Sequence, residues 1–171
     1  MATDLIVHGP IEIPYVSNGS GTSKRITADD RRVFLEQLKA RGLSKKHGCY
    51  VFALRAGKGF TPWYVGKATR AMDQECLGLH QLNYYNDVLF KDNKGTPVMF
   101  FVAPSGGKAK VPQRVCDEAE THLIQSAYFK NPDIRNVQKT KVPEWTIKGV
   151  VRASRGKPAP TAQKFRRMMG L

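Results

Sequence analysis

Residues 48–67 read GCYVFALRAGKGFTPWYVGK, and this stretch decides the fold of the chain. An apolar run at 49–55 leads into the turn Ala56-Gly57-Lys58-Gly59, after which Trp63-Tyr64-Val65 begins a return strand. The pattern predicts a β-hairpin with a tyrosine beside a glycine on each strand, in the triplets Gly48-Cys49-Tyr50 and Tyr64-Val65-Gly66. Because glycine has no side chain, a backbone or a ligand can approach closely at these points.

The hairpin groups side chains that suit a phosphodiester. Strand pairing can bring the phenols of Tyr50 and Tyr64 together, and Lys67 follows the second triplet directly. Phenol hydroxyls can hold or activate a water molecule, and an ammonium group can meet the charge of a phosphate. The residues themselves leave one alternative open, which is an ordinary hairpin with packed tyrosines.

Segments on both sides of the hairpin predict the rest of the domain. Residues 97–102 form a strongly apolar third strand, and the runs at 5–7 and 11–13 are compatible with short strands. Apolar residues at helical spacing predict four helices. The first starts at Thr27, with Asp30 as its capping-box partner, and the second covers 69–90 with a break near Gly78. The third runs from Pro112 to about Phe129, and the fourth covers 161–169. The simplest packing is an α+β domain with a small, mostly antiparallel central sheet flanked by helices.

The charge balance points to a polyanionic partner. The chain of 171 residues carries 28 Lys and Arg against 14 Asp and Glu, a formal net charge of +14. Such a surplus favours nucleic acid above all, through phosphate neutralisation and counterion release. With no apolar run of membrane-spanning length and no signal-peptide pattern, a membrane is not an expected partner.

The cysteines favour a reducing compartment. Cys49, Cys76 and Cys116 make an odd count, and none lies in a C-x-x-C pair, which argues against disulfides and against a zinc site. Cys49 and Cys116 fall in apolar patterns and are interpreted as small core residues. We therefore expect a cytoplasmic protein.

Glu120 lies inside an apolar stripe of the helix predicted from Pro112. Asp117 and Glu118 lie off this stripe and are interpreted as solvated charges near the helix N-terminus. A carboxylate that faces the body of the protein needs a partner, because an isolated buried charge is expensive. The residues leave two partners open, a divalent cation or a lysine or arginine at the edge of the stripe.

The two triplets and the residues that follow them resemble the GIY-YIG nuclease superfamily, with Cys49 and Val65 in place of the two isoleucines. The resemblance covers roughly 46–137 and implies a three-stranded central sheet with helices on its sides. It divides the chain into an N-terminal extension at 1–45 with a flexible loop and a helix, a nuclease domain at 46–137, and a basic C-terminal extension at 138–171 packed on the same domain. It implies an endonuclease that hydrolyses DNA phosphodiester bonds.

The resemblance also implies roles for individual residues. Tyr50 or Tyr64 orients or deprotonates the attacking water, Lys67 contacts phosphate, and Glu120 binds a single Mg²⁺ or Mn²⁺ ion that keeps several waters. The resemblance implies three further site residues. His80 would be a proton carrier or phosphate donor, Asn136 would fix the geometry of the site, and Arg70 would place a cation near the phosphate.

The chain departs from the family pattern at one arginine. Gln74 and Glu75 stand near where the family arginine falls, and Arg70 is the nearest arginine but lies earlier. Arg70 could approach the same phosphate from a different angle, or Lys67 could act alone. Glu75 could hold either cation in an ion pair or accept a hydrogen bond from a tyrosine.

DNA is the expected partner, and RNA and a targeting protein are further candidates, since the short flanks leave no room for a large recognition domain. Two rival functions stay open. The first is a non-catalytic DNA- or RNA-binding module on the same fold, which the missing arginine favours. The second is an unrelated basic RNA-associated protein, in which Glu120 pairs with a lysine and not with a metal ion.

Overall fold

The structure is a computed structural model and describes residues 3–17, 23–91, 94–107, 109–141, 147–151 and 158–170. The chain divides into two compact units, Met1–Thr140 and Lys141–Leu171. In chain order, the strands are β1 (Leu5–Glu12), β2 (Val16–Ser17), β3 (Lys24–Arg25), β4 (Gly48–Ala56), β5 (Gly59–Ala68) and β6 (Thr96–Pro104). The helices are α1 (Ala28–Ala40), α2 (Met72–Glu75), α3 (Leu79–Lys91), α4 (Gln113–Lys130) and α5 (Pro160–Met169).

The first unit is an α+β domain, as predicted, with an antiparallel sheet in the order β1-β6-β4-β5. The predicted hairpin is confirmed as β4 and β5, which pair Tyr50 with Gly66 and Phe52 with Tyr64. A register shift after Phe52 marks a bulge in this pair. Strands β2 and β3 form a separate two-stranded sheet.

The expected count of three strands is wrong, because β1 adds a fourth strand to the sheet. The two short apolar runs near the N-terminus join into this one strand, whose register shifts between His8 and Ile11. β1 covers the outer edge of the strongly apolar β6 and satisfies backbone groups that would otherwise stay unpaired. At the opposite side of the sheet, β5 has no neighbouring strand among the described residues.

Helices cover both faces of the sheet. α1 begins at the predicted capping box of Thr27 and Asp30, and its Phe34 stacks on Phe101 of β6 with ring centroids 6.4 Å apart. A larger core forms on this face and includes residues of α1, α3 and the sheet, whereas Val65 packs in a second cluster with Ile124 of α4. Because side chains alternate along a strand, the two faces of β5 contact different helices.

The predicted helix over 69–90 is interrupted. α2 is a short helix that ends at Glu75, and α3 begins after Gly78, close to the predicted break. The predicted flexible loop at 17–23 lies mostly outside the described residues. None of the described helices is long and apolar enough to cross a membrane.

In the second unit, α5 corresponds to the predicted basic helix at 161–169. Over residues 147–151, Ile147 and Val151 form an isolated bridge.

Candidate active site at the edge of the sheet

A cleft of about 360 Å³ is bounded by β5, α3, α4 and the segment that follows α4. Tyr64 and Lys67 lie on opposite faces of β5, since they are three positions apart and side chains alternate along a strand. Both line the cleft, which therefore wraps around the free edge of β5. The sequence candidates that it brings together are Tyr64, Lys67, His80, Glu120 and Asn136.

The segment 131–136 is tied to the free edge of β5 by hydrogen bonds. Asn136 accepts from the amide of Val65 at 2.9 Å and donates through Nδ2 to the carbonyl of the same residue at 2.7 Å. The Arg135 amide donates to the Trp63 carbonyl at 2.8 Å, and Asn131 Nδ2 donates to the Pro62 carbonyl at 2.8 Å. The side-chain amide of Asn136 thus replaces a missing strand and fixes one wall of the cleft.

Tyr50 is a buried residue that supports the cleft from behind. Its side chain is 1% exposed, and its hydroxyl donates to the backbone carbonyl of Glu75 at 3.2 Å. The phenol crosses Gly66 so closely that a Cβ at that position would overlap Cζ and the hydroxyl oxygen. Burial raises the pKa of Tyr50 far above its ordinary value, so this phenol stays protonated.

Tyr64 is half-buried and reaches the cleft. Its ring stacks on Tyr84 with centroids 5.8 Å apart and meets the edge of Tyr85 at the same centroid distance. Burial raises the pKa of Tyr64, and a hydrogen bond with the Gln81 side chain offsets part of that rise. At neutral pH Tyr64 is a neutral phenol that can both donate to and accept from a water molecule.

Glu120 faces the cleft and is surrounded by lysines. Its side chain is 13% exposed, and its Oε2 accepts from Lys139 Nζ at 2.5 Å and lies 3.7 Å from Lys67 Nζ. The sequence left open whether Glu120 pairs with a divalent cation or with a lysine or arginine, and in the structure it pairs with a lysine. Two ammonium groups compensate this partly buried carboxylate, as a buried charge requires.

Asp117 is partly exposed, as predicted for a solvated charge, but it also takes part in an ion pair that the sequence did not indicate. Its carboxylate accepts a short hydrogen bond from Lys67 Nζ, and this contact lowers the pKa of Asp117 and raises that of Lys67. Asp117 and Glu120 stand three residues apart on α4, a spacing that places both on one side of a helix. That spacing was the available signal that both acids contact the same lysine.

Arg70 lies outside the cleft lining that the described residues form. Its side chain is 75% exposed, and its Nε is 3.8 Å from Glu75 Oε1, so the ion pair between these residues is one of the predicted alternatives. The same oxygen accepts from the backbone amides of Thr69 at 2.9 Å and Arg70 at 2.7 Å. Glu75 thereby fixes the turn between β5 and α2, and its backbone carbonyl, not its carboxylate, accepts the tyrosine hydroxyl.

Arg135 is a cleft cation that the sequence did not single out. Its guanidinium pairs with Asp87 of α3 through a short contact, and its Nε is buried without a hydrogen-bond partner among the described residues. The side chain is 27% exposed and lines the same cleft as Lys67. Arg135 lies next to Asn136, which the resemblance had marked, but no sequence pattern distinguished it from other basic residues.

The two histidines near these residues differ in position. His80 is exposed, lines the cleft and meets Tyr84 edge to face with centroids 4.5 Å apart. His122 is exposed and lies in a groove with Thr121 and Gln125 that Asp117 and Lys139 also line.

The cysteines are core residues and not nucleophiles. All three are free and buried, which confirms the sequence interpretation of Cys49 and Cys116. Burial raises the pKa of Cys49 and of Cys76 to about 12, so neither thiol ionises at neutral pH.

One residue of the cleft, Glu120, offers carboxylate oxygens that could bind an oxygen-preferring cation. The described residues include no group of three or more His, Cys, Asp and Glu side chains placed to hold a metal ion. Glu120 is the carboxylate that lines the cleft, and Mg²⁺ commonly binds to one or two carboxylates together with waters and substrate phosphate. Glu120 could thus hold such an ion, in competition with Lys139.

Comparison of the chain with protein-family models, with curated proteins and with solved structures returned no match. The assignment of a function therefore depends on the geometry of the cleft and on the resemblance of the two triplets.

Proposed function

We propose that the protein is an endonuclease of the GIY-YIG type that hydrolyses DNA phosphodiester bonds with the help of a divalent cation. The observation that carries the proposal is the meeting of Tyr64, Lys67 and Glu120 in one cleft. These residues come from a hairpin and from a helix more than fifty positions later. A phenol, an ammonium group and a carboxylate are the groups that water activation, phosphate binding and cation binding require.

Tyr64 is the proposed partner of the attacking water. Its raised pKa means that very little phenolate is present at neutral pH, so its first role is to orient the water through hydrogen bonds. Removal of a proton by Tyr64 would need a nearby positive charge that stabilises the phenolate. Tyr50 is proposed to position Tyr64, because its own hydroxyl is buried and bonded to the backbone.

Glu120 is the proposed ligand of Mg²⁺ or Mn²⁺. A bound divalent cation would supply charge neutralisation at the scissile phosphate and stabilise the leaving oxygen. Lys67 meets the phosphate from the β5 side of the cleft. Asn136 holds β5 and the segment after α4 together, so that these groups keep their relative positions.

Arg135 is the better candidate for the guanidinium that contacts phosphate, in place of Arg70. It lines the cleft and has an Nε without a hydrogen-bond partner among the described residues, whereas the Arg70 side chain is mostly exposed beside Glu75. A planar guanidinium can bind two phosphate oxygens through two parallel N–H donors, whereas a lysine acts as a point charge. Asp87 keeps a second cation if Arg135 turns to a phosphate, since Lys91 Nζ lies 3.4 Å from it.

A non-catalytic nucleic-acid-binding module is the second candidate function. The observation that favours it is the ion pair of Glu120 with Lys139, because a carboxylate that is permanently neutralised binds no metal ion. The net charge of +14 supports a nucleic-acid partner in either case. A cytoplasmic location and a targeting protein as further partner are parts of the same proposal.

One assay distinguishes the nuclease from the binding module. Supercoiled plasmid is incubated with the purified chain in a Mg²⁺ titration and, in parallel, with a chelator, and both binding and nicking are measured. The nuclease predicts nicked or linear product that rises with Mg²⁺ and is absent with chelator. Binding of the plasmid at every Mg²⁺ concentration without any product would favour the binding module.

A further inference from the structure

Lys139 occupies the carboxylate that the proposed function assigns to a divalent cation. Its Nζ lies 2.5 Å from Glu120 Oε2, whereas Lys67 is 3.7 Å from the same oxygen and donates its short hydrogen bond to Asp117. The Glu120 side chain is 13% exposed and that of Lys139 is 31% exposed. Partial removal from water strengthens the attraction between the two charges relative to an open surface pair.

The backbone also holds Lys139 in an unusual conformation. Its φ is 63°, and it is the single non-glycine residue with a positive φ in the described ranges. Such a conformation is unfavourable for a side chain with a Cβ and persists only where the surroundings impose it. Asn136 ties the preceding residues to β5, so the chain turns back at Lys139 with its ammonium group on Glu120.

These two observations have a common consequence. A residue with no side chain would suit the backbone at this position better, yet the chain places a cation there and directs it to the carboxylate of the cleft. An ammonium group and a metal ion at one carboxylate repel each other, and the ammonium group neutralises the negative charge that would attract the metal ion. The ion pair with Lys139 therefore opposes the binding of a metal ion at Glu120.

We propose that Lys139 competes with the divalent cation for Glu120 and keeps the metal affinity of the free protein low. This inference rests on the proposed metal role of Glu120. Lys67 is not the competitor, because Asp117 holds its ammonium group. Any ligand that separates the ammonium group of Lys139 from Glu120 raises the affinity of the cleft for the cation. By linkage, binding of the cation favours the separation of Lys139 from Glu120.

The test measures Mn²⁺ binding to the full chain by isothermal titration calorimetry, without nucleic acid. Lys139→Gly removes the ammonium group and suits the left-handed backbone, and Lys139→Asn does the same with a residue that tolerates this conformation. Lys130→Asn is the matched control, since it removes one positive charge from the exposed end of α4. Circular dichroism of each variant verifies that the fold is kept.

Both Lys139 variants should bind Mn²⁺ about threefold to tenfold more tightly than the wild type, because the ammonium group that opposes the cation at Glu120 is gone. Lys130→Asn should match the wild type, and Glu120→Gln should abolish the binding in every background. Equal affinity in the wild type and the Lys139 variants, with binding still lost in Glu120→Gln, would overturn the competition but keep the metal site. An absence of Glu120-dependent binding in all variants would overturn the metal role itself.

Discussion

The two walls of the cleft meet at one edge of the sheet but are held by different interactions. The tyrosine wall consists of Tyr50, Tyr64, Gly66 and Tyr84, and packing of rings and a hydrogen bond to backbone position its phenols. The charged wall consists of Lys67, Asp117, Glu120 and Lys139, which contact one another through ion pairs. In the first wall Tyr50 belongs to the core and the half-buried Tyr64 and Tyr84 pack against it, whereas the second wall is partly open to water.

This difference indicates which wall can change on binding. Ion pairs that are partly open to water can exchange a partner for a phosphate or a cation more easily than a packed ring can move. A ring of the tyrosine wall cannot move without opening a void in a close-packed interior. We therefore expect the tyrosine wall to provide fixed geometry and the charged wall to provide exchangeable partners.

The largest effect in the tyrosine wall should follow Tyr64→Phe. If this phenol handles the attacking water, the single-turnover cleavage rate should fall by about 10²- to 10⁴-fold, the usual range for such groups. Tyr50→Phe is the control, because its hydroxyl bonds only to the Glu75 carbonyl among the described groups and should leave the rate within about threefold. Equal losses for both variants would remove the distinction between a reacting and a supporting tyrosine.

Gly66→Ala should lower stability through the same wall. The added Cβ would overlap the Tyr50 phenol, which is buried and cannot turn away. We expect the free energy of unfolding to fall by about 1–3 kcal/mol, as for other overpacked cores, measured by urea denaturation. Gly107→Ala is the matched control, since nothing lies near its Cβ position, and an equal loss there would contradict this reason.

The smallest predicted effect is a difference in DNA affinity between variants of Arg135 and of Arg70. Arg135→Ala should weaken DNA binding by about tenfold or more, because it removes a cleft cation and a hydrogen bond to a charged group is worth about 1.5–3 kcal/mol. Arg70→Ala should change the affinity by less than about threefold, since its exposed side chain lies away from the cleft lining. Fluorescence anisotropy with a short duplex at fixed salt measures both, and the reverse order would restore Arg70 as the phosphate contact.

The parts of the fold that the sequence could predict depend on local patterns. The apolar runs with an intervening turn determine the hairpin, and helical spacing places Glu120 towards the protein body. The pairing of β1 with β6 could not be read in this way, because it joins segments about ninety residues apart and no local pattern encodes it. The three-stranded expectation came from the resemblance, which did not extend to β1.

The charged wall was only partly predictable for the same reason. The helical spacing of Asp117 and Glu120 contained the information that both face one side of α4, but the first was interpreted as solvated. Lys139 and Arg135 follow α4 in a segment without periodicity, and their positions depend on how Asn131 and Asn136 bind the edge of β5. Such side-chain pairing with an open strand edge leaves no repeating signal in a sequence.

The most direct test of the central claim compares two glutamates on one helix. Glu120→Gln removes the carboxylate of the cleft, whereas Glu118→Gln removes an exposed carboxylate that pairs with Arg114 at 3.2 Å. Nicking of supercoiled plasmid in Mg²⁺ and DNA affinity in chelator are measured for both variants and the wild type. The account predicts that Glu120→Gln loses cleavage and keeps its DNA affinity within about threefold, since lysines and arginines bind the phosphates, and that Glu118→Gln behaves as the wild type. Cleavage by Glu120→Gln at the wild-type rate would contradict the account.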